Sequence, residues 1–204
     1  MSRTNLSMSI SADGYVAGPD QSEQHPLGVG GETLHEWHLG APKDHPVNRQ
    51  VVSEMLDGMG ATIMGRNMFG PIRGPWGDSD WRGWWGDTPP YHCPVFVLTH
   101  YQHDPIEMRG GTTFHFVTDG IEAAYAQALA AADGRSISIA GGASCGRQAI
   151  AAGIVDEIDL QINPVILGSG ERLLDGFEAG RPALELVRVL EAPGVAHLRY
   201  RVIR

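Results

Sequence analysis

Two stretches of this chain set a short apolar run, a glycine and the start of a helix in succession: Thr62-Ile63-Met64-Gly65-Arg66-Asn67 and Ile137-Ser138-Ile139-Ala140-Gly141-Gly142-Ala143-Ser144. A helix start presents N–H groups without intrahelical partners and a partial positive charge, and a preceding glycine lets a phosphate approach the backbone. Each junction could hold an anion; equally, each glycine could simply make the turn. Two such junctions, one with Arg66 directly after its glycine, point toward a dinucleotide. Neither is the glycine fingerprint of the doubly wound dinucleotide folds, because Gly142 and Gly146 are wrongly spaced and the first junction has one glycine only. A nicotinamide cofactor would therefore sit in another fold.

Other residue types raise competing chemistries. Cys145, close to a helix start, could carry a lowered pKa and act as a nucleophile, although no base is marked near it and a small packed side chain is the plainer expectation. His35 and His38 stand three apart with Glu32 and Glu36 nearby, but zinc needs three or four ligands in defined geometry, so no metal site is expected. Trp76, Trp81, Trp84 and Trp85 fall in one Gly- and Pro-rich loop. They could form a flat ligand wall, but capping of an apolar edge or a subunit contact is favoured.

The elements that must position these residues follow from ordinary patterning. The chain has 204 residues, 42% hydrophobic and 19% charged, which suits one globular domain over residues 1–204 and argues against disorder. Its formal charge of −9 makes general affinity for nucleic acid or anionic membrane improbable, so an anionic ligand must be held by local geometry. No apolar run is long enough to span a bilayer, the N-terminus does not read as a signal peptide, and two cysteines make no disulfide framework. A cytoplasmic protein acting on a small molecule is expected.

Strands are predicted at Leu6 to Ser11, Ala61 to Met64, Val95 to Thr99, Thr112 to Val117, Ser136 to Ala140, Asp156 to Asn163, Leu184 to Leu190 and Ala196 to Ile203. Helices are predicted from about Asp44 to Asp57, just after Gly65, behind Asp119 and Glu122, and from Ala143 to Ala152 with Gly153 as C-cap. About eight strands and four helices, alternating through the middle and ending in a hairpin, imply an α/β fold. Its sheet would be mostly parallel, with an antiparallel C-terminal hairpin and helices on both faces.

In this frame the motifs resemble a known family. Met64-Gly65-Arg66-Asn67-Met68-Phe69, then Pro94-Val95-Phe96-Val97-Leu98-Thr99-His100, then Ile139-Ala140-Gly141-Gly142-Ala143-Ser144 resemble the three NADPH-contacting segments of the three-layer dihydrofolate reductase-like fold. They are closer still to its bacterial branch grouped with the C-terminal reductase domain of riboflavin biosynthesis, the RibD type. Ser11 to Gly18 resembles the first strand and nicotinamide-side turn of that branch, and Asn163 to Gly170 its loop before the last strands.

The resemblance implies NADPH, with Arg66, Thr99 and His100 toward the adenosine 2′-phosphate, since a guanidinium grips phosphate bidentately. It implies Gly65, Asn67, Gly141, Gly142, Ala143 and Ser144 around the cofactor's phosphates, and Val16 and Ala17 against the nicotinamide. Asp13 matches the Asp-Gly of the riboflavin-type first strand; it is the candidate catalytic group near the substrate, or else the maker of an Asx turn. Where dihydrofolate reductases carry a pterin-anchoring carboxylate, about sixteen residues before Gly65, this chain has Asn48 and Arg49, and Ala140 replaces the usual Glu before the glycine pair. The expected activity is reduction of a small heterocyclic or ribosylamine-type substrate, as by a 5-amino-6-(5-phosphoribosylamino)uracil reductase. A dihydrofolate or pteridine reductase, a hydrolase or transferase built on Cys145 or a His pair, and a non-catalytic NADP-binding module are the alternatives. A homodimer through the sheet edge, with the Trp loop contributing, is implied as well.

Overall fold

Residues 2–78, 80–177 and 182–203 are described by the structure, a computed structural model. The chain opens with β1 (Thr4–Ser11) and β2 (Tyr15–Ala17), followed by α1 (Glu36–Leu39) and α2 (Pro46–Leu56). Then come β3 (Met59–Gly65), α3 (Arg66–Phe69), β4 (Pro94–Leu98), β5 (Ile106–Glu107), β6 (Thr113–Val117), α4 (Gly120–Ala132), β7 (Ser136–Gly141) and α5 (Ala143–Ala151). The C-terminal part adds β8 (Glu157–Asn163), β9 (Glu171–Arg172), β10 (Ala183–Ala192) and β11 (Val195–Ile203).

Nine strands form one sheet in the order β10-β11-β8-β1-β7-β3-β4-β6-β5. The six inner neighbours from β8 to β6 are parallel, while β11 at one edge and β5 at the other run against them, and the outermost β10 pairs antiparallel with β11. The predicted mostly parallel sheet and C-terminal hairpin are present, but the second antiparallel edge was not predicted. A two-residue strand such as β5, like β9, carries no periodicity to read. β9 pairs with β2 in a separate ribbon.

Alternation along the strands divides the apolar side chains between the two faces. Ile63, Phe96, Ile137 and Ile139 join Ala124 and Ala128 of α4 and Ala149 and Ile150 of α5 in the largest core cluster. Met64, Val95, Val97 and Phe114 join Phe69 of α3 in a second, onto which Trp76, Trp81 and Trp85 pack. A third places Val51 of α2 with Trp37, Ala192 and Val195. β3 is buried through its first six residues, as a central parallel strand covered on both faces must be.

One local expectation fails. Asp119 makes no side-chain capping bond to α4; its backbone (φ −92, ψ 16) departs from the extended geometry usual at an N-cap, which aims a side-chain oxygen at the first N–H groups.

Candidate active site

The two glycine junctions meet because of the sheet order. β3 and β7 are adjacent and parallel, with Met64 opposite Gly141, so both chains leave the sheet at the same edge, side by side. The approach is close: a Cβ on Gly142 would lie 3.4 Å from Gly65 Cα, and one on Gly141 would lie 2.5 Å from Met68 Sδ. Gly142 also has φ +84, a conformation side chains other than glycine resist.

The two helix starts are unequal. α5, with nine residues, carries the N-terminal N–H groups and dipole expected of it. α3 is a single turn of four residues, too short for an appreciable dipole, and what it supplies is Arg66.

Arg66 is half-buried and held in place by neutral partners. Its Nη1 donates to Thr99 Oγ1 at 3.1 Å, and its guanidinium lies over the Trp76 ring, 3.4 Å from the centroid. Trp76 is anchored by its own N–H, which donates to the Tyr101 carbonyl at 2.9 Å. Nε and Nη2 of Arg66 are buried and without a hydrogen-bond partner. Burial, then the nearby Arg73, pulls the Arg66 pKa below its ordinary value, as happens to a cation awaiting a counter-ion. The Thr99 hydroxyl accepts from Arg66 and from Tyr101 N–H and donates to the Tyr101 carbonyl, so its task is to orient Arg66.

These residues line one cavity of about 870 Å³ along the carboxyl edge of the sheet. Val16, Ala17, Gly65, Arg66, Asn67, Thr99, His100, Gly141, Gly142, Ala143 and Ser144 all border it. Val16 and Ala17 reach it through β2, which β9 and close glycine contacts hold in place. Gly170 packs against the Ala17 carbonyl, and Gly18 against the backbone of Gly28 and Val29.

Asp13 lies elsewhere. Its carboxylate accepts from Ser11 Oγ at 2.6 Å, Leu167 N–H at 3.1 Å and Gly168 N–H at 2.7 Å, tying the Asn163 to Gly170 loop to the β1 turn, and it does not border the cavity. The Ser11 bond, with those from Gly168 and Leu167, holds its pKa at about 2. These three bonds make the ionised carboxylate a clamp between the β1 turn and the loop after β8.

Cys145 is buried against the hinge, and burial pushes its thiol up to about 12, the opposite of an activated nucleophile. The tryptophans divide their tasks. Trp76 cradles Arg66, Trp81 donates to the Phe69 carbonyl at 3.0 Å, and Trp84 and Trp85 border the cavity.

The sequence places His35 and His38 in no cofactor site and raises them only for a metal or a hydrolytic His pair, yet both border the cavity, with Trp37 between them and Ser7, Ser9 and Gln161 nearby on its wall. The three-residue spacing was their only signal. Among the described residues, no three His, Cys, Asp or Glu side chains converge as a metal would need.

The sheet order, the carboxyl-edge cavity and a match over nearly the whole length of a dihydrofolate reductase place the fold in the dihydrofolate reductase-like class. Within that class the chain belongs to the RibD C-terminal domain family, whose sequence profile matches residues 4–198. No curated protein matches the sequence.

Solved structures of low identity share the fold. A protein ascribed to riboflavin biosynthesis from Shewanella sp. PV-4 superposes with a TM-score of 0.68 at 19% identity, covering 99% of both chains. RibD of Acinetobacter baumannii superposes at 0.61 and 16% identity, over all of this chain and 59% of the other. Dihydrofolate reductase of Enterococcus faecalis, complexed with NADP(H), superposes at 0.58 and 15% identity, over 99% of this chain and 97% of the other. No helix among the described residues is long and apolar enough to cross a membrane.

Proposed function

We propose that this chain is an NADPH-dependent oxidoreductase acting on a small heterocyclic or ribosylamine-type substrate, of the 5-amino-6-(5-phosphoribosylamino)uracil reductase type, with residues 1–204 working as one domain. The observation that carries the reading is Arg66: two buried, unpartnered N–H donors on a cation, beside two touching glycine hinges, in a cavity large enough for a dinucleotide end. Family membership and the NADP(H)-bound fold relative support it.

These residues fit the cofactor. Arg66, oriented by Thr99 and with His100 at the rim, would take the 2′-phosphate, and Trp76 would keep the guanidinium flat for a bidentate grip. Gly65, Asn67, Gly141, Gly142, Ala143 and Ser144 would hold the diphosphate through backbone and side-chain donors, and Val16 and Ala17 would give the nicotinamide an apolar wall. The cofactor, when bound, supplies a hydride; the chain orients the reactants and excludes water.

A dihydrofolate or pteridine substrate is the weaker reading. At the place of the missing carboxylate, Asn48 is fully buried and committed, donating to the Trp37 and Pro42 carbonyls and facing His197 Nε2 at 2.9 Å. A non-catalytic NADP-binding module is favoured only by the missing carboxylates, with Asn48, Arg49 and Ala140 in their places. NADPH oxidation with any acceptor eliminates it.

The test of the proposal is NADPH titration at about 1 mM, followed by tryptophan fluorescence and melting temperature. A ligand at 100 times its Kd stabilises by about 2.7 kcal/mol, so absence of both signals refutes the reading. We propose in addition that a second copy of the chain covers β10, where Leu184, Leu186, Val187 and Val189 are exposed on an edge strand. Light scattering should show a dimer that Val189→Lys dissociates; a monomeric wild-type protein refutes it.

A further inference from the structure

Two imidazoles in the cavity wall are given no task by the cofactor. His35 Nδ1 lies 3.0 Å from His38 Nε2, and their rings meet edge to face at 5.3 Å. The pair is rigidly backed. His38 lies against Trp37 at 4.6 Å, and Trp37 donates to Ser9 Oγ at 2.9 Å, accepts at its carbonyl from Asn48 Nδ2 at 3.0 Å and meets His197 edge-on at 4.8 Å. Burial lowers both imidazoles below the ordinary histidine range, His35 to about 4, so both are uncharged near neutrality.

Two uncharged imidazoles that face each other share one N–H across the gap, which leaves one outer nitrogen protonated and the other bare. Shifting the shared proton across 3.0 Å, together with loss of the outer proton at one end and gain of one at the other, exchanges those states. The pair can therefore release a proton at one end and take one up at the other, while neither ring keeps a charge. The other titratable groups bordering the cavity suit this task less well. Arg66 and Arg73 remain cations, the Cys145 thiol is pushed up to about 12, and His100, Tyr101 and Glu171 are exposed.

We propose that the His35–His38 pair is the proton relay of the reduction in this cavity, an inference that rests on the reductase reading above. When a hydride reaches the carbon of a C=N or C=O bond, a C–H bond forms and the π electrons pass to the heteroatom. The substrate is then reduced and the dihydronicotinamide oxidised. The heteroatom takes the proton from the outer N–H of one imidazole, the shared proton crosses, and the other outer nitrogen is reprotonated from water. The sum is one hydride and one solvent proton added across the double bond, and the reverse shift, with water giving a proton at the substrate end and taking one at the other, returns the pair to its starting tautomers.

The test uses wild-type protein carrying 15N-labelled histidine, with NADP+ present. A relay requires both tautomers in exchange, so the four ring nitrogens should resonate between the protonated and bare extremes. A single fixed tautomer, which a purely structural pair would hold, overturns the relay.

The kinetic arm follows NADPH oxidation with 5-amino-6-(5-phosphoribosylamino)uracil and dihydrofolate as acceptors. His35→Gln and His38→Gln should each lower kcat about 100-fold, in the range of lost general acid catalysis, with the NADPH Kd within about twofold of wild type. Turnover within threefold of wild type in both variants overturns it as well. If NADPH fails to bind the wild-type protein, the reductase reading falls; if it binds and the tautomers are fixed, only the relay falls.

Discussion

Arg66→Ala separates a phosphate grip from a structural arginine. The side chain makes one hydrogen bond, to Thr99, lies on Trp76 and leaves Nε and Nη2 unpartnered. Two charge-assisted bonds to a phosphate, at about 1.5 kcal/mol or more each, amount to roughly 3 kcal/mol and so to roughly a 100-fold loss in affinity. That loss belongs to NADPH alone, because NADH lacks the 2′-phosphate. NADH affinity should therefore change by less than about threefold. The fold should tolerate the change: a cation–π contact of about 0.5–1 kcal/mol and one net hydrogen bond of about 1 kcal/mol are lost, while a desolvated cation is removed. A drop in melting temperature of no more than about 4 °C is expected for a chain of this size. Calorimetric titration of both nucleotides, against wild type and Arg66→Lys, reads the difference. Lysine keeps the charge but loses the planar fork, and should fall between the two. Equal losses for NADPH and NADH would show that Arg66 does not hold a 2′-phosphate and would remove the chief support for NADPH.

Three further substitutions probe other parts of the site. Gly142→Ala places a Cβ at φ +84 and 3.4 Å from Gly65 Cα, so urea unfolding should show a loss of about 1–2 kcal/mol, with NADPH affinity reduced at least about tenfold. Asp13→Asn should leave the NADPH Kd at pH 7 within about twofold. The Asp13 pKa lies at about 2 in the folded chain against 3.8 ordinarily. Its contribution is thus present above pH 4 and disappears as pH falls toward 2, so the acid-unfolding curves of wild type and variant should converge over that window. Cys145, with its thiol at about 12, should resist iodoacetamide at pH 8 in the folded chain and react once unfolded. Cys145→Ala should retain cofactor binding within about twofold, and reaction in the native state would contradict the burial argument.

The sequence carried much of the frame in its local patterns. Alternating or continuous apolar runs mark β1, β3, β4, β6, β7 and β8, and the period of Ile121, Ala124 and Ala128 marks α4, because side-chain direction repeats every two residues in a strand and about every 3.6 in a helix. Features shorter than one period escaped it. β5, β9 and the single turn of α1 are fixed by their neighbours, and Asp119 fails as a cap because the backbone around Gly120 takes another course.

The chemistry divides along the same line. Gly65, Arg66 and the Gly141-Gly142 pair were recognisable because a glycine hinge beside a helix start is a local motif, complete within a few residues. That the hinges touch follows from β3 and β7 being neighbours, a pairing between strands more than seventy residues apart. Two arrangements lay wholly in tertiary structure. The loop from Asn163 gives the Asp13 carboxylate two N–H groups, and His35 and His38, in sequence only a pair three residues apart, border the cavity beside Trp37, which Ser9 and Asn48 fix. Local motifs depend on backbone preference and side-chain period, which the sequence states directly; burial and partnership depend on which distant segments fold together, and only the packed chain determines that.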